Sequence, residues 1–388
     1  MNTKLKKILI ILIVILIIVL AGLLIYNFLI KKPVQPGGGE GNLPGAGEGQ
    51  GPGEQPPIIQ PEAEAKIKAI SQEPVFSPTI TFDKNQVIYY LRSNGNVWKS
   101  DFDGNNLSQV SDVNLDNLIK VVWSPDKNNV ITVFQDNLEN ISKYFYSHIT
   151  KQALPLNRYT DYITWSPDSK KIAYQYQNDA TGINTINTAN PDGTKYNAVL
   201  NTRMKNLIVE WPQGTDIFLR EKPSGLAQSS LYSINSVTKT FNKIISDVYG
   251  FNAKWSSKGD KILYSKTNQN GKNIGIFVAD RNGANEKAAE ATTLVEKCAW
   301  SQDIRYAYCA IPKNIIDAKI LPDDFYKGTF VGDDGFYKIN VEISEKTNLF
   351  EGEKINGTYD ATDLFLSPNE DYLFFINKGD GLLYSIEL

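Results

Sequence analysis

Residues 165–174 read WSPDSKKIAY: a tryptophan, a polar turn and then the beginning of an apolar strand. Related stretches begin at Trp123, Trp255, Trp300 and Leu366, where the chain reads WSPDKNNVITV, WSSKGDKILYS, WSQDIRYAYCA and LSPNEDYLFFI. A serine and an aspartate beside a tryptophan can belong to a catalytic site, but such a site occurs once in a domain. The recurrence therefore indicates a structural unit that is repeated along the chain.

The spacing of this repeat predicts the fold class. Weaker openings at Ile80 and Trp211 complete a series of units, and the successive intervals from Ile80 to Leu366 are 43, 42, 46, 44, 45 and 66 residues. A period of about 40–45 residues with four short strands in each unit is typical of a β-propeller blade. The sequence therefore predicts an all-β domain over residues 64–388, a seven-bladed β-propeller of four-stranded blades.

Two segments account for the irregular ends of the repeat. The long last interval contains an insertion at residues 312–328, between the second and third strands of the sixth unit. The last unit offers three strand-like segments, whereas segment 66–71 precedes the first unit and has no partner there. We expect segment 66–71 to supply the fourth strand of the last blade, which would close the ring and remove an open sheet edge.

The N-terminal residues differ from the repeat in composition. Residues 8–30 are almost entirely apolar and follow three lysines, so residues 1–32 are predicted to form an uncleaved signal anchor with one transmembrane helix. Residues 33–63 are rich in Gly, Pro and Glu and are predicted to be a disordered linker. The predicted location is the cytoplasmic membrane, with a single pass, the N-terminus inside and the propeller on the extracytoplasmic side. A net charge of −3 gives no reason to expect a nucleic-acid partner.

The chain has two cysteines, Cys298 and Cys309, on the first and second predicted strands of the sixth unit. The midpoint of the two positions falls in the turn between these strands, so the cysteines should lie directly opposite each other in an antiparallel pair. The spacing permits a disulfide bond, which an oxidising compartment would favour. A pair of buried thiols is the alternative that the sequence leaves open.

Acidic and aromatic residues near predicted loops are the candidates for a binding site. Two aspartates sit just before innermost strands, near the expected rim of the central channel, and four residues lie in the insertion, where the two aromatic ones are expected to be exposed. The candidates are Asp161 and Asp363 at the rim, and Asp323, Asp324, Phe325 and Tyr326 in the insertion. Turn capping by the aspartates and packing of the insertion over its blade are the structural alternatives.

The sequence provides no candidate catalytic, cofactor-binding or metal-binding residues. The single histidine, His148, lies on a predicted strand, which excludes a site that needs several histidines and the His-dependent lyase chemistry of some related propellers. The aspartates of the insertion lack the spacing of a calcium-binding loop. We therefore expect no cofactor and no enzymatic activity.

The repeats with the pattern W-S-P-D-x-x-x-I-A-Y, together with Pro-Asp-Gly turns after the third strand, resemble the TolB-like family of extracytoplasmic β-propellers, which are related to WD-repeat proteins. The resemblance covers residues 64–388, although the N-terminal α/β domain of TolB has no counterpart here. It implies a protein-binding module in the cell envelope, and the function predicted here is that of an interaction scaffold for a protein or a cell-envelope polymer. The alternatives are a propeller that binds or acts on a glycan or cell-wall polymer through channel carboxylates, and a structural spacer.

Overall fold

A computed structural model of the chain describes residues 63–64, 67–350 and 353–388. The predicted membrane segment, 8–30, and nearly all of the predicted linker lie outside these residues. Within the described ranges, no helix is long and apolar enough to cross a membrane.

The described residues form an all-β structure of mainly antiparallel sheets, as predicted. Sheet I contains β3 (Val75–Ile80), β4 (Val87–Leu91), β5 (Val97–Ser100) and β6 (Ser108–Ser111). Sheet II contains β7 (Leu118–Trp123), β8 (Asn129–Gln135), β9 (Ile141–Ser147) and β10 (Ala153–Pro155). Sheet III contains β11 (Thr160–Trp165), β12 (Ile172–Tyr176), β13 (Asn184–Ala189) and β14 (Asn197–Thr202).

The second half of the chain follows the same order with one larger sheet. Sheet IV contains β15 (Ile208–Glu210), β16 (Asp216–Arg220), β17 (Gln228–Asn235), β18 (Phe241–Trp255), β19 (Lys261–Thr267), β20 (Gly275–Asp280) and β21 (Lys287–Ala288). Sheet V contains β22 (Cys298–Trp300), β23 (Tyr306–Pro312), β24 (Asp334–Asn340) and β25 (Glu345–Asn348). Sheet VI contains β2 (Ile67–Ala69), β27 (Ala361–Leu366), β28 (Tyr372–Asn377) and β29 (Leu383–Glu387). A parallel pair is formed by β1 (Ala63–Glu64) and β26 (Glu353–Lys354).

The first strands of neighbouring sheets lie beside one another. Strand β3 contacts β7, β7 contacts β11, β11 contacts β15, and β22 contacts β27. The apolar cores lie between the faces of successive sheets: Trp165 and Ile172 of sheet III, for example, share a buried cluster with Ile131 of sheet II. In sheets I, II, III and V this arrangement places the first strand innermost and the fourth at the outside, and in sheet VI the innermost strand is β27 and the outer one is β2.

The repeated tryptophan joins one sheet to the sheet before it. Trp165 is 4% exposed, and its indole N–H donates to the carbonyl of Val122, the residue before the tryptophan of sheet II, at 3.0 Å. The indole of Trp123 donates to Ser77 O at 2.9 Å, and a third such bond, 3.1 Å long, runs from Trp300 in sheet V to sheet IV. The repeated tryptophan thus supplies both apolar area and a directed bond between sheets.

The serine and aspartate that follow the tryptophan lock the turn. The hydroxyl of Ser166 accepts from the N–H of Lys171 at 2.9 Å and donates to Asp168 at 2.7 Å. Ser124 makes the equivalent bonds in sheet II. These bonds satisfy the backbone groups of a tight hairpin, so the two residues are structural at every repeat that carries them.

Strand β18 serves two units of the repeat. Its first half pairs with β17 and its second half pairs with β19, with a shift of register between Tyr249 and Asn252. Gly250 lies in this bulge with a φ of 65°, a value that glycine adopts without strain. The units that open at Trp211 and Trp255 are therefore hydrogen-bonded into one sheet of seven strands.

The N-terminal strand pairs with the last strand. Strand β2 runs antiparallel to β29, with Ile67 opposite Ile386. A buried cluster next to this pair combines Val75 and Val87 of sheet I with Phe374 and Leu383 of sheet VI. The predicted segment 66–71 thus lies at the edge of sheet VI.

The insertion lies between β23 and β24, as predicted, and packs against loops of sheet IV, where the N–H of Leu321 donates to Gly271 O at 2.8 Å. It contains a 3-10 turn (Ile315–Asp317) and a single-turn helix, α1 (Asp323–Tyr326). The expected exposure of Phe325 is wrong: its side chain is 4% exposed, because it packs with Leu294, Leu321 and other apolar residues in a cluster of its own. Tyr326 is 47% exposed, as expected.

Replacing Trp165 with alanine should lower the free energy of unfolding by about 3–5 kcal/mol, because a buried ring and its bond to sheet II are lost together. The matched control is Trp211→Ala. Trp211 is only partly buried and its indole donates to Gly214 O within its own hairpin, so the loss should be smaller. Urea denaturation of the two variants measures the difference, and equal losses would contradict the proposed role of the repeated tryptophan.

Candidate functional site

A buried ion cluster lies beneath the insertion. The ammonium of Lys297, which is fully buried, lies 2.7 Å from Asp334 Oδ2 and 2.6 Å from Asp360 Oδ1, and it also donates to the carbonyl of Ala361 at 2.9 Å. The two carboxylates are 0% and 3% exposed. The two carboxylates therefore converge on the ammonium of Lys297. Because they are buried and bridged by this lysine, a large substrate cannot reach them.

Burial governs the titration of this cluster. Removal from water raises the pKa of Asp334 to about 6, although the neighbouring Lys297 opposes the shift. The second oxygen of Asp334 is buried and accepts no hydrogen bond from the described residues. Asp360 accepts from Lys297 and also forms a long ion pair with Lys378, whose ammonium is 4.0 Å from Asp360 Oδ2. Through Lys297 the cluster therefore joins Asp334, at the start of β24, to Asp360, which precedes β27 of sheet VI.

A second cluster of polar side chains lies around Tyr326, on the exposed side of the insertion. The hydroxyl of Tyr326 donates to the carboxylate of Glu296, and the side-chain amide of Asn252 donates to the same hydroxyl at 3.0 Å. Burial raises the pKa of Glu296, and its second carboxylate oxygen has no hydrogen-bond partner among the described residues. The amine of Lys254 donates to Cys298 O at 2.6 Å, and burial lowers the pKa of that lysine.

Two of these residues, Tyr326 and Lys378, line a cavity of about 280 Å³ between the insertion, sheet VI and the turn after β4. We name it the cationic cavity; it is lined by Arg92, Phe325, Tyr326, Thr362, Ile376, Lys378 and Gly381. Its lining has two cations and, among the described residues, no carboxylate. It also offers a tyrosine ring and a threonine hydroxyl, which are groups that a polar ligand of negative charge can use.

The two cations are positioned by aromatic rings. The ammonium of Lys378 lies 3.5 Å from the ring centroid of Phe325 and donates to the carbonyl of that residue at 2.8 Å, while burial lowers the pKa of the lysine. The guanidinium of Arg92 lies 5.0 Å from the ring centroid of Phe76, and its Nε donates to Val75 O at 2.8 Å. Among the described residues, no hydrogen bond occupies the terminal nitrogens of Arg92, so they are free for a ligand.

The aspartates predicted in the insertion hold its backbone. Asp323 accepts from the N–H of Gly225 at 2.7 Å and from the hydroxyl of Ser224 at 3.0 Å, which ties α1 to sheet IV. Asp324 accepts from the N–H groups of Lys319 and Ile320 at 2.8 and 3.0 Å. Both carboxylates thus have structural partners, and their part in partner binding stays a prediction.

The rim aspartates lie inside innermost strands rather than just before them, which corrects the expected position. Asp161 is in β11, where it accepts from Lys143 at 2.6 Å and from Gln177 at 2.9 Å. Asp363 is in β27, in a bulge, with a φ of 54°. No hydrogen bond of the described residues joins the two, and neither lines the cationic cavity. Their part in partner binding also stays a prediction.

Sequence reasoning missed Arg92, Lys297, Asp360 and Lys378. The stretch LVEKCAW (294–300) carried a signal for one of them, since Glu296 and Lys297 interrupt a run of apolar residues that leads into an innermost strand. A charged residue in such a run requires a buried partner. Arg92 and Lys378 lie in ordinary polar turns, and nothing in the sequence distinguishes them.

The cysteines and the histidine lie away from the cationic cavity lining. Cys298 and Cys309 face each other across β22 and β23, and the structure joins them in a disulfide bond with 4.1 Å between the Cα atoms. His148 stacks on Trp123, and the ring centroids are 5.3 Å apart, while Tyr90 OH lies 3.4 Å from its Nε2. Burial lowers the pKa of His148 to about 4, so it is a neutral packing residue at physiological pH.

The structure resembles several solved β-propellers. An oligogalacturonate lyase in complex with manganese matches with a TM-score of 0.59 and 11% identity, over 84% of this chain and 93% of that one. A second oligogalacturonate lyase, from Vibrio parahaemolyticus, gives 0.57 and 10% identity, over 83% and 93%. The β-propeller domain of the Trilobed protease from Pyrococcus furiosus gives 0.53 and 11% identity, over 81% and 96%. The chain has a β-propeller fold.

These matches confirm the fold that the TolB-like resemblance implied, and TolB from Acinetobacter baumannii is also among the matched structures, with a TM-score of 0.45, 11% identity, and 83% and 65% of the two chains covered. No protein-family model and no curated protein matches the sequence. The prediction of a protein-binding scaffold is wrong by this comparison, because the first two matches are lyases named for a saccharide substrate. At identities of 10–11%, these matches establish the fold of this chain but assign it no activity.

The donor groups of the described residues do not form a site like the one that manganese occupies in a complex of the first match. Among the described residues, no group of three or more His, Cys, Asp or Glu side chains is arranged to hold a metal ion. The one histidine is packed among aromatic rings, and Asp334 and Asp360 are already bridged by Lys297. The described residues therefore do not fit a manganese site.

The disulfide predicts that the untreated chain exposes no free thiol even when unfolded. Iodoacetamide in denaturant should add no label before reduction and should label both cysteines after dithiothreitol, as read by mass spectrometry. Replacing both cysteines with alanine should lower the free energy of unfolding by about 2–4 kcal/mol, because the bond restricts the unfolded chain. Labelling without reductant would show that the pair is reduced.

The lowered pKa of His148 predicts that the folded chain becomes less stable in acid. Its folded pKa is lowered from 6.5 to about 4, so the unfolded chain binds the proton more readily and stability falls as the pH drops from about 6.5 toward 4. The difference corresponds to about 3 kcal/mol at most. His148→Gln should flatten the dependence of unfolding free energy on pH in this window. An unchanged slope would contradict the lowered pKa.

Proposed function

We propose that the chain binds a carboxylated oligosaccharide in the cationic cavity. The observation that carries this proposal is the lining of the cavity, in which Arg92 and Lys378 flank Tyr326 without a carboxylate. A guanidinium recognises a carboxylate through paired hydrogen bonds, and a lysine ammonium adds a point charge. A tyrosine ring offers an apolar face and a polar edge, which suits a sugar ring. A volume of about 280 Å³ accommodates one sugar unit of a longer chain.

The propeller neighbours support the choice of ligand class. Two of them are named oligogalacturonate lyases, and oligogalacturonate is a chain of sugars that each carry a carboxylate. The ligand proposed here has the same charge, but its recognition rests on residues of this chain. Because the described residues offer no metal-binding group, we propose binding without cleavage as the first candidate function.

A second candidate, β-elimination, is favoured by the pair of Tyr326 and Glu296. The tyrosine oxygen could take the proton next to the sugar carboxylate while its own proton passes to Glu296, whose pKa is raised by burial. The electron pair of the broken C–H bond would form a C=C bond, the C–O bond to the glycosidic oxygen would break, and that oxygen would take a proton from water. The hydroxide left behind would take the proton from Glu296, which returns the pair to its starting state. The cations would stabilise the negative charge that develops on the carboxylate.

The proposed architecture is a closed ring of seven blades. Sheets I, II, III, V and VI would be one blade each, and β18 would complete one blade with its first half and begin the next with its second. The pairing of β2 with β29 supports closure of the ring between the N-terminal and C-terminal segments. In this arrangement the cationic cavity lies where the first and last blades meet.

Calorimetry with oligogalacturonate fragments tests the binding proposal. Arg92→Gln and Lys378→Gln should each weaken binding about tenfold, since a hydrogen bond to a charged group contributes about 1.5–3 kcal/mol. Methyl-esterified fragments should bind as weakly as the variants bind the acid. Lys258→Gln, which removes a cation from an exposed turn of sheet IV, is the matched control and should bind like the unchanged chain. Equal affinity for acid and ester would refute the proposal.

The same mixtures distinguish binding from elimination. Elimination forms a double bond conjugated with a carboxylate, so ultraviolet absorbance would rise with time and Tyr326→Phe would abolish the rise. Binding without cleavage predicts constant absorbance at every protein concentration.

We also propose that residues 8–30 anchor the propeller in the cytoplasmic membrane with the fold outside. The full chain should stay with the membrane after alkaline carbonate washing, and removal of residues 1–32 should release it. Protease added to intact spheroplasts should digest the propeller. Protection of the propeller in intact cells would contradict this orientation.

A further inference from the structure

A second cavity, of about 480 Å³, lies on the face of sheet III that is turned toward sheet II. We name it the sheet III cavity; its polar and aromatic lining consists of three tyrosines, three asparagines and one threonine: Tyr174, Tyr176, Tyr196, Asn157, Asn178, Asn187 and Thr185. The register of the sheet explains the grouping, because Tyr174 lies opposite Asn187 and Tyr176 lies opposite Thr185, so these side chains share one face.

One side chain in this cavity lacks a partner that it needs. Asn187 is 4% exposed, and its Oδ1 has no hydrogen-bond partner among the described residues. The other end of the amide is fixed, since Nδ2 donates to the hydroxyl of Thr185 at 3.0 Å. An unpaired buried amide oxygen is costly, and a hydroxyl group of a ligand in the cavity would satisfy it.

The tyrosines of the lining are a second reason to expect a ligand in this cavity. Tyr196 is 72% exposed on the turn before β14, and Tyr176 is held in place by edge-to-face packing against Tyr159, with the ring centroids 5.9 Å apart. Tyrosine combines a large apolar face with a hydroxyl and loses little conformational freedom on binding. Rings arranged in this way can receive the apolar face of a sugar.

The uncharged lining of the sheet III cavity indicates the class of ligand that it would bind. Within the part of the chain that the structure describes, its lining contains no acidic and no basic side chain, whereas the cationic cavity has two basic ones. The volume lies within the range of about 300–1,000 Å³ that is usual for small-molecule sites. A saccharide hydroxyl both donates and accepts hydrogen bonds, so it can pair with an amide and with a tyrosine hydroxyl. We infer that the sheet III cavity binds a neutral sugar unit.

This inference does not rest on the proposed function of the cationic cavity, because the two cavities share no residue. If both bind, the chain would hold a polysaccharide that contains charged and neutral units. If oligogalacturonate fails to bind, the argument for the sheet III cavity is unaffected.

Saturation-transfer difference NMR on the full chain tests the inference with four neutral disaccharides: cellobiose, maltose, galactobiose and N,N′-diacetylchitobiose. We expect at least one to bind at millimolar concentration. Asn187→Leu should weaken that binding at least tenfold without lowering the melting temperature, because the change removes the unpaired oxygen. Tyr196→Ala should weaken it to a similar extent, since the ring is exposed and contributes little to the fold.

The controls separate this site from the rest of the surface. Phe82→Ala removes a ring of similar exposure, 68%, from sheet I and should leave disaccharide binding unchanged. Arg92→Gln should also leave it unchanged, and Tyr196→Ala should leave oligogalacturonate binding unchanged. Failure of all four disaccharides to bind would overturn the inference. So would binding that survives both Asn187→Leu and Tyr196→Ala, or that is lost equally in Phe82→Ala.

Discussion

The bond from a tryptophan indole to an inner-strand carbonyl of the preceding sheet is the constraint on which the structure depends. It is made by Trp123, Trp165 and Trp300, each time at the end of an innermost strand. Apolar burial alone would leave neighbouring sheets free to slide, because the hydrophobic effect has no direction. A hydrogen bond at a fixed position has a direction, so it restricts the offset between the two sheets that it joins.

The repeat was predictable because its cause is local. The repeated pattern lies within about ten residues: it consists of a tryptophan, a turn fixed by Ser and Asp, and the start of an apolar strand. It can therefore be recognised in the sequence. The insertion at residues 312–328 and the position of the N-terminal strand followed from the interruption of that repeat. The continuous strand β18 was less visible, because the segment from Phe241 to Trp255 contains Gly250 and Asp247, which are usually found in turns.

The candidate site could not be predicted in the same way. Arg92, Tyr326 and Lys378 come from the first unit, the insertion and the last unit, and only the fold brings them to one cavity. The burial of Phe325 was missed for the same reason, since its partners Leu294 and Leu321 lie on both sides of β22 and β23. The predicted aspartates of the insertion, Asp323 and Asp324, by contrast, accept hydrogen bonds from backbone N–H groups that loops commonly require, which is why their positions carried little information about a ligand.

The pairing of β2 with β29 has a mechanical consequence. A force that pulls on the chain from the N-terminal side reaches the two-residue pair of β1 with β26 first. It then reaches β2, a strand of three residues that is attached along one side only. Detaching it would uncover the edge of β29, which belongs to the sheet that carries Lys378. The five paired residues of β1 and β2 therefore stand between tension on the N-terminal side and the sheet that carries Lys378.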